Sequence, residues 1–321
     1  MIDLVALGES LIDCTPFGQT DQGTPLFSCN PGGAPSNVLA MFAKLGGTTA
    51  FIGKVGKDAF GLLLKKTMAD AGIDTSALLM SEDHPTTLSF VQLGEKGERT
   101  FSFYRYKTAD VMLAPEEIDK TLLQNCLVFH FGSVSMTEEP ARSATLAAAQ
   151  IAKAAGALIS YDPNYRPLLW KEKAESVEQM LRGVSYADLV KVSEEEMFLL
   201  TGTSDPTEGA KALRRMGPCV AVVTMGAAGS FVSAPGGNIS EPGFLMQTVD
   251  TTGAGDAFWG ALLYCLRGKK RTEICTMNSR EWGEILRFAN AAGGLTTEKK
   301  GAIPAMPDKT AIVKQLNKAM G

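Results

Sequence analysis

Short runs of apolar, largely β-branched residues alternate along this chain with longer stretches of helical periodicity. The short runs predict strands, and the longer stretches predict helices between them. Ser193 followed by Glu196 predicts a capping box at one helix start. Regular strand–helix alternation favours an α/β fold, with a doubly wound, mostly parallel sheet flanked by helices. The strands are predicted at 4–7, 49–53, 126–131, 157–161, 189–192 and 220–224, and the helices at 36–45, 59–71, 141–155 and from 194.

Two regions interrupt the alternation. Residues 13–30 are rich in turn formers and lack a helical pattern, whereas residues 86–106 alternate with period two around a polar turn at 94–99. The second pattern predicts a hairpin, with aromatic and cationic residues near its end. We expect a small β lid over a pocket, although a plain edge hairpin fits the same pattern. No linker is visible, so one domain over 1–321 is predicted, with a lid from roughly 13–30 and 86–110.

Composition and charge narrow the function classes. The chain has 321 residues, 45% of them hydrophobic, and a net charge of −4, so no basic surface for nucleic acid is expected. No apolar run reaches the roughly 20 residues of a membrane span, and no signal peptide is visible, so a cytoplasmic protein is predicted. The six cysteines form no CxxC pattern and are predicted to be free thiols. With only two histidines, a histidine-based triad is poorly supported.

The most specific motif is the segment from Asp250 to Asp256, DTTGAGD, followed by small and apolar residues. A glycine turn that enters a helix presents free amides and the positive end of the helix dipole, which together form an anion site. The amides of Gly253, Ala254 and Gly255 are candidates for binding a transferred phosphoryl group, and Asp256 for the general base. A glycine-rich helix entry capped by an aspartate is the alternative.

A second glycine motif precedes the first long helix. Gly33 allows a small polyol to approach the backbone, and the amide of Asn37 can pair with vicinal hydroxyls. Asp13, after the first strand, is a candidate acceptor from sugar hydroxyls or else a simple turn residue.

Taken together, these motifs resemble the ribokinase-like ATP-dependent sugar kinases over essentially the whole chain. Gly32–Asn37 is similar to the family's first motif and DTTGAGD to its second, while 222–229, 288–293 and 299–302 resemble its nucleotide and cation segments. Within the family the chain resembles fructokinases most, through 97–110, 162–170 and 301–305. Arg105 and Arg166 keep a 2-keto-3-deoxygluconate kinase open, since either arginine can bind a carboxylate. Ser193 departs from the asparagine of many relatives, which puts one nucleotide contact in doubt.

The resemblance implies roles for individual residues. Asp256 would be the catalytic base, and Mg²⁺ would arrive with ATP, with Glu194–Glu196 as candidates to order the hydrated ion, although a solvated helix start is expected for at least two of them. Phe103 and Arg105 would close over the sugar from the lid. The implied sugar contacts are Asp13, Gly33, Asn37, Phe103, Arg105 and Arg166; the nucleotide contacts are Thr224, Gly226, Gly229, Gly255 and Asn290; and a K⁺ site would use Asp250, Thr252, Thr296, Lys299, Gly301 and Ala305.

The reaction expected from the resemblance is ATP-dependent phosphorylation of fructose to fructose 6-phosphate. A different sugar kinase of the same family is the nearest alternative. A dinucleotide-dependent oxidoreductase is disfavoured because no GxGxxG follows the first strand, and a non-catalytic sugar-binding regulator is disfavoured by the intact Asp256. Strand edges of the lid leave a homodimer through that lid open.

Overall fold

A computed structural model describes residues 1–93 and 99–318. The strands of its main sheet are β1 Ile2–Leu7, β4 Thr49–Gly56, β5 Ile73–Asp74, β6 Leu78–Ser81, β9 Cys126–Gly132, β10 Leu158–Asp162, β11 Leu189–Ser193, β12 Val220–Thr224, β13 Ser230–Ala234 and β14 Gly237–Glu241. They lie in the order β14-β13-β12-β11-β10-β9-β1-β4-β5, with β6 also paired to β4. Neighbouring strands pair in parallel from β12 to β5 and antiparallel at the β12-β13-β14 edge.

Helices cover both faces of the main sheet. Alternate residues of β1 enter different cores, Leu4 and Ala6 on one face and Val5 and Leu7 on the other, as the period of a strand buried on both faces requires. The predicted doubly wound α/β fold is therefore confirmed. The helices are α1 Ala34–Lys44, α2 Ala59–Asp70, α3 Lys120–Gln124, α4 Ala141–Ala154, α5 Lys173–Tyr186, α6 Glu194–Thr201, α7 Pro206–Arg215, α8 Ala254–Cys265, α9 Arg271–Thr276, α10 Ser279–Thr296 and α11 Lys309–Lys318.

A separate four-stranded sheet, in the order β3-β2-β7-β8, is built from β2 Leu11–Gln19, β3 Pro25–Gly32, β7 Leu88–Leu93 and β8 Arg99–Tyr104. The predicted hairpin is confirmed as the antiparallel β7–β8 pair, although its turn at 94–98 lies outside the described residues. Residues 13–30, which the sequence showed only as turn-rich, form most of β2 and β3. We call these four strands the second sheet.

Strand register in the second sheet brings distant polar residues into one row. Asp13 lies opposite Asn30 on one side and Ser89 on the other, and Ser89 in turn lies opposite Phe103. Directly paired residues share a sheet face, so Asp13 and Phe103 point to the same side. The expected sugar contacts from both halves of this sheet are thus aligned.

One prediction about the cysteines is wrong. Cys219, just before β12, and Cys275, in α9, form a disulfide across 56 residues of sequence, with their Cα atoms 5.9 Å apart. The four other cysteines are free thiols, as predicted. A pairing over such a separation leaves no local motif, so inspection of spacing missed it.

None of the helices within 1–93 and 99–318 is long and apolar enough to cross a membrane. The cytoplasmic location stays a prediction.

Candidate active site

Asp256 lies in the first turn of α8 and is buried, with 7% of its surface exposed. Its two carboxylate oxygens bind amides from two other parts of the chain. Asn37 in α1 donates from Nδ2 to Oδ2 at 2.8 Å, and Asn164, just after β10, donates from Nδ2 to Oδ1 at 3.1 Å. The three residues, far apart in sequence, therefore form one cluster around a fixed carboxylate.

The environment of Asp256 tunes it toward proton acceptance. Burial raises the pKa of its carboxyl group, while the amides of Asn37 and Asn164 and the positive charges of Lys191 and Arg166 oppose that rise. A carboxylate with a raised pKa binds a proton more strongly than an exposed one. This is the property that a general base for an alcohol needs.

The glycine turn before α8 has the geometry of an anion site. Gly253 adopts φ 77°, a left-handed conformation that favours glycine, and the amide of Ala254 closes the turn onto the Thr251 carbonyl at 3.2 Å. Amides in the first turn of a helix have no acceptor within the helix, so those of Gly255 and Asp256 are available to a ligand. The carboxylate and the predicted phosphoryl site are thus adjacent.

The predicted sugar contacts Asp13, Gly33 and Arg166 lie around Asp256. Gly33 immediately precedes α1; its φ is 122°, and a Cβ there would lie 2.5 Å from the Glu9 carbonyl oxygen, so only glycine fits. Burial raises the pKa of Asp13 to about 6 despite the opposing charge of Arg166. Arg166 lowers the pKa of both Asp13 and Asp256, so its exposed side chain lies close enough to both carboxylates to interact with them. Phe103 is half-buried on β8, on the same face as Asp13.

The structure corrects the predicted role of Arg105. Its side chain does not reach over a pocket from the second sheet but is buried, with 7% of the residue exposed. Nε binds Asp110 at 2.7 Å, and the two terminal nitrogens bind the Thr137 hydroxyl at 2.6 Å and the Val134 carbonyl at 3.1 Å. Because all three nitrogens are already bound to protein oxygens, Arg105 anchors the second sheet to the main one.

The predicted nucleotide residues lie at the end of β12 and in the turn that follows. Thr224 is the last residue of β12, and Gly226 and Gly229 have φ of 55° and 104°. A Cβ on Gly229 would overlap the Glu241 carbonyl and the Gly243 amide, so this turn packs directly on the loop after β14. The backbone of 226–229 is therefore fixed in a shape that side chains would prevent.

Asn290 was expected to contact the nucleotide, and the structure revises this. Its Oδ1 accepts from the Ser230 hydroxyl at 2.9 Å, and its Nδ2 donates to the carbonyls of Glu241 and Pro242 at 3.1 and 3.2 Å. The amide of Asn290 thus joins α10 to β13 and to the loop after β14. Because the turn at 226–229 packs on that loop, Asn290 also supports the shape of this turn.

The predicted cation residues belong to two segments that the structure brings together. Asp250 accepts from the Thr252 hydroxyl at 2.7 Å through Oδ1 and from the Gly301 amide at 3.0 Å through Oδ2. The Asp250 amide also donates to the carbonyl of Thr297 at the end of α10. These contacts fit a site of carboxylate and carbonyl oxygens. The other predicted ligands lie in the same two segments: Thr296 ends α10, Lys299 and Gly301 follow it, and Ala305 ends the next short turn.

The three consecutive glutamates have different surroundings. Glu194 and Glu195 are exposed at the start of α6, whereas Glu196 is buried and closes the predicted capping box with Ser193. Its Oε1 also accepts from the Tyr165 amide at 2.7 Å. Over the described ranges, three or more His, Cys, Asp or Glu side chains nowhere converge into a metal site.

Three residues at this site had no role predicted from the sequence: Asn164, Asp162 and Lys191. Asp162 ends β10, and its Oδ2 accepts from Lys191 Nζ, on the neighbouring strand β11, at 2.8 Å. Lys191 has 6% of its surface exposed. A charged residue inside the apolar run of β11 was the signal that could have revealed the pair, because lysine is rarely buried without a function or a partner.

Comparison with known proteins identifies the family of the chain. The model of the pfkB family carbohydrate kinases matches residues 1–309. The chain belongs to this family. It is 41% identical to fructokinase-1 of Zea mays over 320 residues, 98% of each chain. A fructokinase from Xylella fastidiosa with bound ATP superposes with a TM-score of 0.92 at 31% identity and full coverage of both chains, and a Vibrio cholerae O395 fructokinase with fructose, ADP and calcium ion has 0.87 at 36%, covering 98% of this chain and 99% of that one.

Gly253 offers a direct test of the glycine turn. A Cβ on Gly253 would lie 2.5 Å from the Cβ of Ala302, whereas one on exposed Gly268, with φ 79°, would meet nothing within 4 Å. Alanine at either site carries the same left-handed strain of about 1–2 kcal/mol. We expect Gly253→Ala to lower kcat/KM for sugar roughly a hundredfold by displacing the amides, measured by coupled ADP release.

Gly268→Ala is the matched control and should keep kcat/KM close to wild type at a similar cost in stability. Equal kcat/KM losses in the two variants would show that the contact with Ala302 does not position the turn.

Proposed function

We propose that this protein transfers the γ-phosphoryl group of ATP to the primary hydroxyl of fructose, giving fructose 6-phosphate. The observation that carries the proposal is the buried carboxylate of Asp256, held by two asparagine amides beside the free amides of the α8 N-terminus. Relatives named fructokinase at about 41% identity over nearly the full chain support fructose as the sugar. The Vibrio cholerae structure with fructose and ADP adds support.

The proposed reaction is a single displacement. Asp256 accepts the proton of the attacking hydroxyl as the new P–O bond forms, and ADP leaves with the electron pair of the broken P–O bond. The free amides of Gly255 and Asp256 hold the oxygens of the transferred group, where negative charge spreads in the transition state, whereas the predicted Ala254 donor is bound to the Thr251 carbonyl. Asn37 and Asn164 keep the carboxylate aimed at the hydroxyl.

Sugar recognition is assigned to the residues around Asp256. Asp13 and Asn37 bind hydroxyls, Gly33 lets the sugar approach the backbone, and Phe103 covers it from the second sheet. Arg166 lies at the same pocket with its guanidinium exposed, so it binds either a hydroxyl or a carboxylate. A 2-keto-3-deoxy sugar acid is the second candidate substrate, and the Arg166 guanidinium is the observation that favours it.

The nucleotide is placed against the turn at 226–229, with Thr224 and Gly255 toward its phosphates. A divalent ion, Mg²⁺ in our proposal, would arrive with the nucleotide and supply positive charge against its phosphates. Glu194 and Glu195 are exposed at the start of α6 and are our candidates for ordering the water shell of this ion.

A sugar panel with ATP tests the proposal. We expect fructose to give the highest kcat/KM among fructose, ribose, glucose and 2-keto-3-deoxygluconate, and Asp256→Asn to lower kcat by roughly two to four orders of magnitude because the base is lost. The Kd for fructose, measured by calorimetry, should stay within a few-fold of wild type because Asn keeps the shape of the pocket.

Near-normal turnover of Asp256→Asn would remove the assigned base. A clear preference for the sugar acid would move the substrate to the second candidate.

The cation segments lead to a second proposal, that K⁺ binds between 250–252 and 296–305. Asp250 ties these two segments together, and the contact of Gly253 with Ala302 links them to the catalytic turn. We expect kcat in KCl to exceed kcat in a tetramethylammonium salt of equal strength severalfold, because the ion stiffens the turn. Asp250→Ala should abolish the difference, whereas equal rates of wild type in both salts would contradict a cation site.

The second sheet supports the proposal of a homodimer. Five large apolar or aromatic side chains on or just beyond its strands are exposed: Phe17 by 76%, Leu26 and Phe27 by 42% each, Tyr104 by 65% and Tyr106 by 83%. Exposed apolar side chains spread over an open sheet favour association with a second copy. Light scattering at micromolar concentration should give twice the chain mass, and Phe17→Asp should halve it. Leu62→Asp, equally apolar and exposed on α2, is the control; a wild-type monomer would refute the dimer.

A further inference from the structure

We propose that Lys191 is a catalytic residue whose ammonium group binds the phosphoryl group during transfer, from the side of the Gly255 amide. The inference rests on the proposed sugar kinase activity and deepens it. Lys191 occupies the middle of β11, and Asp162 ends the neighbouring β10. In parallel sheets ligands bind at the carboxyl ends of the strands, and the Lys191 ammonium group reaches that edge by binding Asp162, the last residue of β10.

Distance to the anion site is the first support. A Cβ built on Gly255 would lie 3.2 Å from Lys191 Nζ and 3.9 Å from Lys191 Cε. The ammonium group therefore faces the Cα of Gly255. The backbone amide of Gly255 is one of the free donors of the α8 N-terminus. A phosphoryl oxygen bound to that amide comes within reach of Nζ.

Unused hydrogen-bonding capacity is the second support. An ammonium group has three N–H donors. Asp162 Oδ2, at 2.8 Å, is the hydrogen-bond partner found for Nζ within residues 1–93 and 99–318. Two donors are left for a ligand on a lysine whose side chain is 8% exposed. A buried cation with spare donors is the form of charge stabilisation that phosphoryl transfer uses.

The charges around Lys191 keep it protonated. Burial lowers its pKa, but the carboxylates of Asp162, Glu196 and Asp256 outweigh burial and hold the pKa above its ordinary value. Lys191 therefore gives up no proton during the reaction. The hydroxyl proton still goes to Asp256, the bond between phosphorus and the leaving oxygen breaks, and the bond to the sugar oxygen forms, while the ammonium charge offsets the charge of the transferred group.

Lys191 and Arg166 place positive charge on different sides of Asp256. Both lower the pKa of Asp256. Arg166 is exposed and also acts on Asp13, which places it on the sugar side. Lys191 is buried against Gly255 and pairs with Asp162, which places it on the side of the phosphoryl group.

A set of variants separates this role from a structural one. Lys191→Met alone leaves Asp162 as a buried unpaired charge and lowers stability, whereas Lys191→Met with Asp162→Asn removes both charges and should restore much of the stability. We expect both variants to lose roughly a hundredfold or more in kcat and in kcat/KM with fructose, because the lost contact exists mainly in the transition state. Asp162→Asn alone keeps the ammonium group and should lose less. The Kd for fructose should stay within about twofold in the double variant.

Lys54→Met is the matched control, because Lys54 also forms an ion pair, with Glu117 at 2.6 Å, and is outside the site. It should keep wild-type turnover. A double variant of Lys191 and Asp162 with near-normal kcat would overturn the catalytic role and leave only a structural ion pair. Wild-type protein that turns over no sugar would instead overturn the kinase proposal, and this inference with it.

Discussion

The site depends on one buried carboxylate held by two amides. Asn37 is 219 residues from Asp256 and Asn164 is 92 residues away, yet both donate to its oxygens. Burying a carboxylate is unfavourable unless its oxygens are hydrogen-bonded, so α1, the end of β10 and the start of α8 must all be in place together. The geometry around Asp256 therefore depends on the whole parallel sheet rather than on the glycine motif alone.

Close backbone packing sets the position of the reacting groups around this carboxylate. Gly33 lies against the Glu9 carbonyl, Gly253 against Ala302, and Gly255 against the Lys191 ammonium group. Each contact joins a residue of a motif to a residue outside it. The motif glycines thus serve as places where two segments touch, in addition to adopting conformations that other residues disfavour.

The sequence predicted the main strands and helices because each follows from a local apolar period and from nearby caps such as Ser193 with Glu196. Asp256 beside free amides followed from the DTTGAGD segment for the same local reason. The disulfide of Cys219 with Cys275 and the bonds of Arg105 to Thr137 and Val134 depend on how distant elements pack, so neither was visible. Lys191 has no motif of its own, and its proximity to Gly255 exists only in the folded chain.

Helix α8, which carries Asp256, is also bound directly to strand β10 of the main sheet. Three residues further along α8, the fully buried Trp259 donates from Nε1 to the Ser160 hydroxyl of β10 at 2.9 Å, on the same strand that ends at Asp162. Indole emission depends on such a bond and on the dryness of its surroundings. A displacement of α8 against β10 therefore alters the fluorescence of Trp259, one of three tryptophans in the chain, which gives an optical signal from the helix that carries Asp256.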